Sequence, residues 1–184
     1  MSNLLKGLSI FLVGLPGTGK TTVGQGLAEQ LDYRFFDSDV VIKKVTGQTI
    51  KEIFATQGED FFRELESQVL RELCAYTRSV IATGGGIILK QINWSYLRHG
   101  LIIWLDAPVD LLIQRLADDS NRDDPNRPLL QVDDLDELRQ KLEFLLSQRQ
   151  SLYAEADLRI AITSEQTPDD IVSQIVTQIP TVLN

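Results

Sequence analysis

Nine residues, Gly14-Leu15-Pro16-Gly17-Thr18-Gly19-Lys20-Thr21-Thr22, restrict this chain more than any other stretch. They fit G-x-x-x-x-G-K-[ST], whose physical content is a strand, a tight glycine-bearing loop and a helix in succession. Loop N–H groups and the N-terminus of the following helix together make an anion site. In that pattern Lys20 reaches the β- and γ-phosphates of a nucleotide, and the Thr21 hydroxyl is placed to ligate Mg²⁺. A glycine-rich turn with a solvated lysine would satisfy the same letters. The flanks decide against it: Leu8 to Val13 reads as a buried strand, and Thr22 to Leu31 as a helix with Val23, Leu27 and Leu31 on one face.

The chain of 184 residues suits one domain. A net charge of -8 argues against a nucleic-acid or anionic-membrane partner, since the general field repels both. No apolar run approaches membrane-spanning length, and the residues before the first strand are too few for a targeting peptide, so a cytoplasmic location is expected. The single cysteine, Cys74, excludes an internal disulfide framework and reads as a packing residue.

Strands and helices alternate along the rest of the chain. Tyr33 to Asp37, Ser79 to Thr83, Leu101 to Asp106 and the alternating Leu158, Ile160 and Ile162 read as strands. Helices are expected from Asp39 to Val45, from a Thr49/Glu52 capping box to near Gly58, and from Glu59 to Ala75. Others follow over Asn93 to Arg98, Val109 to Leu116 and Asp133 to Tyr153, with a last one after Thr167. Asp118 to Pro128 is polar, acidic and proline-bearing, and reads as a loop. This alternation implies a parallel sheet wrapped on both faces, with ligands at the carboxyl ends of its strands. Residues Gly14 to Thr21, Asp37 to Asp39 and Gly84 to Gly86 all follow strand ends and should share one crevice.

Within that crevice three features carry chemistry. Asp37 and Asp39 face the same way if the chain there is extended, and two such carboxylates call for a cation or a proton between them. A helix cap formed by one of them is the competing reading. Gly84-Gly85-Gly86 suits a backbone lying against a small ligand, although an ordinary turn is the alternative. Arg149 falls on the apolar stripe Leu138, Leu142, Leu145, Leu152 and must meet an anion or snorkel out. Arg63 lies three residues before Glu66, which can hold it. Either arginine alone reads as a structural salt bridge; the two together with Asp39 suggest a pocket for a small polyol carrying a carboxylate.

The set G-L-P-G-T-G-K-T-T, D-S-D at 37–39, F-R-x-L-E at 62–66, T-G-G-G at 83–86, R-P-L-L at 127–130 and R-x-x-L-Y at 149–153 resembles the shikimate kinases along nearly the whole chain. The resemblance implies a three-layer αβα fold of the P-loop, nucleoside-monophosphate-kinase-like type, with a five-stranded parallel sheet and a lid. It implies phosphorylation of the 3-hydroxyl of shikimate by ATP with Mg²⁺, on the route to chorismate and aromatic amino acids. By that resemblance Gly17, Thr18, Gly19, Lys20, Thr21, Thr22 and Arg127 bind ATP, and Thr21 and Asp37 serve the metal. Asp39, Arg63, Gly85, Gly86 and Arg149 bind shikimate, with Lys20, Asp39 and Arg127 catalytic. An acceptor-binding segment is expected over about 38–66 and a lid over about 117–130, within a monomer of one domain spanning 1–184. Arg122 is a candidate for stacking on adenine, and Thr163 to Pro168 for a second adenine contact. The rivals are another small-metabolite kinase of this fold, such as a gluconate kinase, and a non-catalytic nucleotide-binding homologue. A GTPase switch is disfavoured by the lack of an N-K-x-D motif.

Overall fold

The computed structural model describes residues 5–118 and 134–183. Its centre is β1 (Ile10–Val13), four apolar residues, all buried. A strand with every residue buried needs a cover on both faces, which parallel sheets obtain from their crossover helices. β1 leads through the glycine loop into α1 (Lys20–Leu31), then β2 (Arg34–Asp37) and α2 (Ser38–Thr46). α3 (Ile50–Leu73), β3 (Ser79–Ala82), α4 (Gln91–Leu97) and β4 (Leu101–Asp106) follow. The described chain is completed by α5 (Val109–Asp118), α6 (Leu135–Tyr153), β5 (Leu158–Ala161) and α7 (Pro168–Val182).

The strands form one parallel sheet in the order β2-β3-β1-β4-β5, with helices on both sides, as the alternation predicts. β1 pairs with β3 at Ile10↔Val80 and with β4 at Ile10↔Leu101. The interior strands β3 and β4 are mostly apolar, β3 buried throughout and β4 buried up to Asp106. Edge strand β5 alternates buried and exposed residues, the pattern of a strand with one covered face. No helix among the described residues is long and apolar enough to cross a membrane.

Local chemistry sets the helix ends close to where the sequence puts them. Thr49 and Glu52 form the expected capping box on α3, and Thr167 and Asp170 form another on α7 with Pro168 in its first turn. α3 is two helical runs joined at Gly58, whose φ of 84° and ψ of 170° no helix accommodates. The expected break at Gly58 is therefore present. α1 begins at Lys20, two residues earlier than the apolar pattern alone suggests, and α5 runs on to Asp118, so the stretch expected as a lid starts within a helix. Cys74 ends α3 half-buried, and burial pushes its thiol up to about 11, consistent with packing.

Candidate active site

The phosphate loop is built by its closeness to β4. Gly14 has φ of 147°, and a Cβ there would stand 2.5 Å from the Leu105 carbonyl oxygen, so only glycine fits. The buried Thr18 hydroxyl donates to Leu15 O at 2.9 Å and ties the loop to itself. The Lys20 ammonium donates to Gly14 O and Leu15 O, each at 2.9 Å, which holds it across the loop. Gly19 caps α1 without any side chain, leaving the first-turn amides to a ligand. Arg115 of α5 braces the loop by donating to Gly17 O and Thr18 O, both at 3.3 Å.

The aspartate pair differs from the expected extended geometry. Asp37 caps α2: its Oδ1 accepts from the backbone N–H groups of Asp39 at 3.0 Å and Val40 at 3.2 Å. Asp39 therefore sits in the first helical turn, because a carboxylate at the strand end satisfies two N–H groups that would otherwise have no acceptor. The capping reading holds. Asp37 Oδ2 still accepts the Thr21 hydroxyl at 2.7 Å, and Asp39 still lines the crevice. Asp39 Oδ1 is buried with no hydrogen-bond partner among the described residues. Burial above all, then the neighbouring Glu66 and Asp37 carboxylates, push Asp39 up to about 7 against the pull of Lys20 and Arg63.

Opposite stand the two arginines. Arg63 is 8% exposed and is held on three sides: Nη1 donates to Glu66 at 3.0 Å, and Nε and Nη2 donate to Glu59 at 3.2 and 2.9 Å. Glu66 is 1% exposed, and burial raises it, with Arg63 and Arg149 opposing. Arg149 is 5% exposed and donates to Gly85 O at 3.1 Å. The glycine run fits between these groups. A Cβ on Gly84 would lie 2.7 Å from Glu66 Oε1 and 3.0 Å from Asp39 Oδ1, and one on Gly86 would lie 2.5 Å from Arg63 Cζ. The run is a turn, closed by the Ile87 N–H donating to Gly84 O at 3.2 Å, and its missing side chains at 84 and 86 make room for Glu66, Asp39 and Arg63. Gly86→Ala is expected to displace the Arg63 guanidinium and lower kcat/KM for the acceptor by roughly 10²-fold, since misplacement by about 1 Å is that expensive. Kinetics equal to wild type would show that Arg63 moves aside freely.

The loop, the aspartates, the glycine run and both arginines line one crevice of about 200 Å³. Lys20, Thr21, Thr22, Gly17, Gly19, Asp37, Asp39, Arg63, Gly85, Gly86 and Arg149 are all on its wall, whereas Thr18 supports the loop from within. Arg127 and Arg122 lie outside the described residues. Thr163 and Gln166 bond to each other at the end of β5, away from this wall. Three supports were not read from the sequence. Ser38 is buried and its hydroxyl accepts from Gly84 N–H at 3.0 Å. A 3₁₀ turn at Ile87–Leu89 is pinned by Asn93 and Trp94 side chains donating to Ile87 O and Ile88 O. Tyr153 is fully buried and donates to Gly85 O at 2.7 Å.

A family model for shikimate kinase matches residues 16–180. The shikimate kinase of Microcystis aeruginosa is 57% identical over 181 residues, covering 98% of this chain and 91% of its own. That of Nostoc sp. is 52% identical, covering 100% of this chain and 97% of its own. The solved shikimate kinase of Acinetobacter baumannii in complex with shikimate superposes with a TM-score of 0.88 at 41% identity, over 98% of each chain. A gluconokinase from Sinorhizobium meliloti, at 17% identity and a TM-score of 0.56 over 93% of this chain and 90% of its own, shares the fold alone. On sequence match and superposition together, the chain belongs to the shikimate kinase family.

Proposed function

We infer that the chain transfers the γ-phosphate of ATP to the 3-hydroxyl of shikimate, with roles divided between the two sides of the crevice. The observation that carries the division is that one cavity joins the Lys20 loop to Asp39, Arg63 and Arg149. ATP lies along the loop, its phosphates on the amides of Gly17 to Thr22 and on Lys20. Arg63 and Arg149 grip the shikimate carboxylate, and the Gly85–Gly86 backbone supports its ring. Asp39 accepts the acceptor hydroxyl, orients it toward the γ-phosphate and takes its proton. Its raised pKa suits that task, since a base near neutrality accepts a proton more readily than an ordinary carboxylate. Transfer is direct and in line, with catalysis supplied by positioning and by neutralisation of charge.

Thr21 and Asp37 fit Mg²⁺. Their hydroxyl and carboxylate oxygens meet at 2.7 Å at the phosphate end of the crevice, and both are hard donors. No cluster of three or more acidic, histidine or cysteine side chains among the described residues forms a metal cage. That also suits an ion held largely by substrate phosphates and water. Bound there, it would offset negative charge on the nucleotide phosphates.

The whole chain is assigned as a single kinase domain, with its acceptor-binding segment over about 38–66 and a lid over about 117–130. By family resemblance Arg127 is assigned to the transferring phosphate. A monomer in the cytoplasm completes the proposal.

The test is ADP release coupled to each of shikimate, quinate and gluconate. Release dependent on shikimate supports the proposal; release with gluconate alone overturns it. Arg149→Ala should raise KM for shikimate far more than KM for ATP. An unpaired carboxylate in a desolvated pocket costs roughly 2–5 kcal/mol. If Arg149 were only structural, both KM values and the melting temperature would change together.

A further inference from the structure

The Gly85 carbonyl has two donors, both from α6. The Tyr153 hydroxyl reaches it at 2.7 Å and Arg149 Nη1 at 3.1 Å. The two side chains are four residues apart and so share a helix face. Of the pair, Tyr153 makes the shorter bond and is the fully buried one. Its ring stacks on Trp104 of β4, with centroids 5.8 Å apart and planes at 20°. Trp104 is in turn covered by the Arg159 guanidinium at 4.8 Å, and Asp106 holds Arg159 at 2.8 Å from Nε. The hydroxyl therefore has a fixed direction. Burial pushes it up to about 12, so it stays a donor at every working pH.

A trans peptide is planar, with its C=O and the next N–H pointing in opposite directions. Holding the Gly85 oxygen toward α6 therefore aims the Gly86 N–H away from α6. That N–H has no hydrogen-bond acceptor among the described residues. We propose that Tyr153 is a positioning residue for the acceptor: by fixing the Gly85 carbonyl it sets the Gly85–Gly86 peptide and the Arg149 guanidinium for shikimate. Arg149 alone cannot do both tasks well, since each N–H it spends on Gly85 constrains the guanidinium that must turn to the carboxylate. Tyr153 makes the shorter bond, so the peptide stays held when Arg149 turns to the ligand.

This inference rests on the assignment of Gly85, Gly86 and Arg149 to the shikimate pocket. Its test is Tyr153→Phe, which keeps the ring and its stacking and removes one hydroxyl. KM for shikimate is expected to rise roughly three- to tenfold, the range for a lost buried hydrogen bond. KM for ATP should be unchanged. Trp104→Phe is the companion variant: it trims the stacking partner, keeps the hydroxyl, and should lower the melting temperature while raising KM for shikimate less than Tyr153→Phe does. An unaltered shikimate KM in Tyr153→Phe overturns the proposal. So does an equal rise in both variants, which would assign the effect to packing. Should Tyr153→Phe melt near the assay temperature, the same titrations are made in the cold. Arg149→Ala separates the two layers of argument. If it raises shikimate KM while Tyr153→Phe does not, the pocket assignment stands and the role of Tyr153 falls; if it leaves that KM alone, the pocket assignment itself falls.

Discussion

Replacing Asp39 with asparagine is expected to abolish useful turnover and to make the protein melt higher. Loss of a positioned base lowers kcat by roughly 10²–10⁴-fold. The stability gain follows from the charge buried in the site. Asp39 titrates near its ordinary value of 3.8 when unfolded but at about 7 when folded, mainly through burial. The folded protein therefore holds a proton more tightly than the unfolded chain. Between those two values the unfolded state binds fewer protons, so wild-type stability falls as pH rises, and it levels off above about 7. The asparagine variant lacks this loss. In ligand-free, metal-free buffer at alkaline pH it should gain on the order of 2–4 kcal/mol, and the gap should close toward the ordinary carboxylate range. Melting curves across that pH range check the sign. A gap that is absent at alkaline pH, or that widens on acidification, would refute the buried-charge account.

Lys20→Ala is expected to lower kcat by about 10³-fold or more, because the ammonium meets charge that builds on the transferring phosphate. Its side chain is half-buried and adds no apolar packing to the core; its ammonium donates to Gly14 O and Leu15 O. The circular dichroism spectrum should match wild type and the melting temperature should shift by only a few degrees. Turnover retained at a wild-type rate would remove the loop from phosphate chemistry.

Much of this was legible in the sequence because the relevant signals are local. Apolar runs mark the strands, Thr49 and Thr167 mark two helix starts, and Gly58 marks a break. Arg149 announced itself as a charge on an apolar stripe, and the structure buries it as that position requires. What was not legible depends on contacts between elements distant in sequence. The D-S-D spacing is compatible with an extended chain or a capped helix, and only the start of α2 at Ser38 decides between them. Glu66 was visible as a partner for Arg63 three residues away. Its second role, as a buried neighbour that raises Asp39, needs β2, α3 and the glycine run assembled. Tyr153 reads in sequence as one more apolar ring on a helix; its hydroxyl acquires meaning only when Gly85 is brought beneath it.

The order β2-β3-β1-β4-β5 also has a consequence for how the protein is made. The phosphate loop leaves a strand near the start of the chain, yet that strand finds its two neighbours only at Val80 and Leu101. Parallel pairs of this kind close long loops before any contact rewards them, and they form slowly. An emerging N-terminal half therefore has the loop's letters without the wall that shapes it: the Leu105 carbonyl against which Gly14 is fitted is not yet present. Arg149, on the crevice wall, arrives later still. The wall of the phosphate loop is thus complete only once Leu105 has emerged, and the far side of the crevice only once α6 has followed.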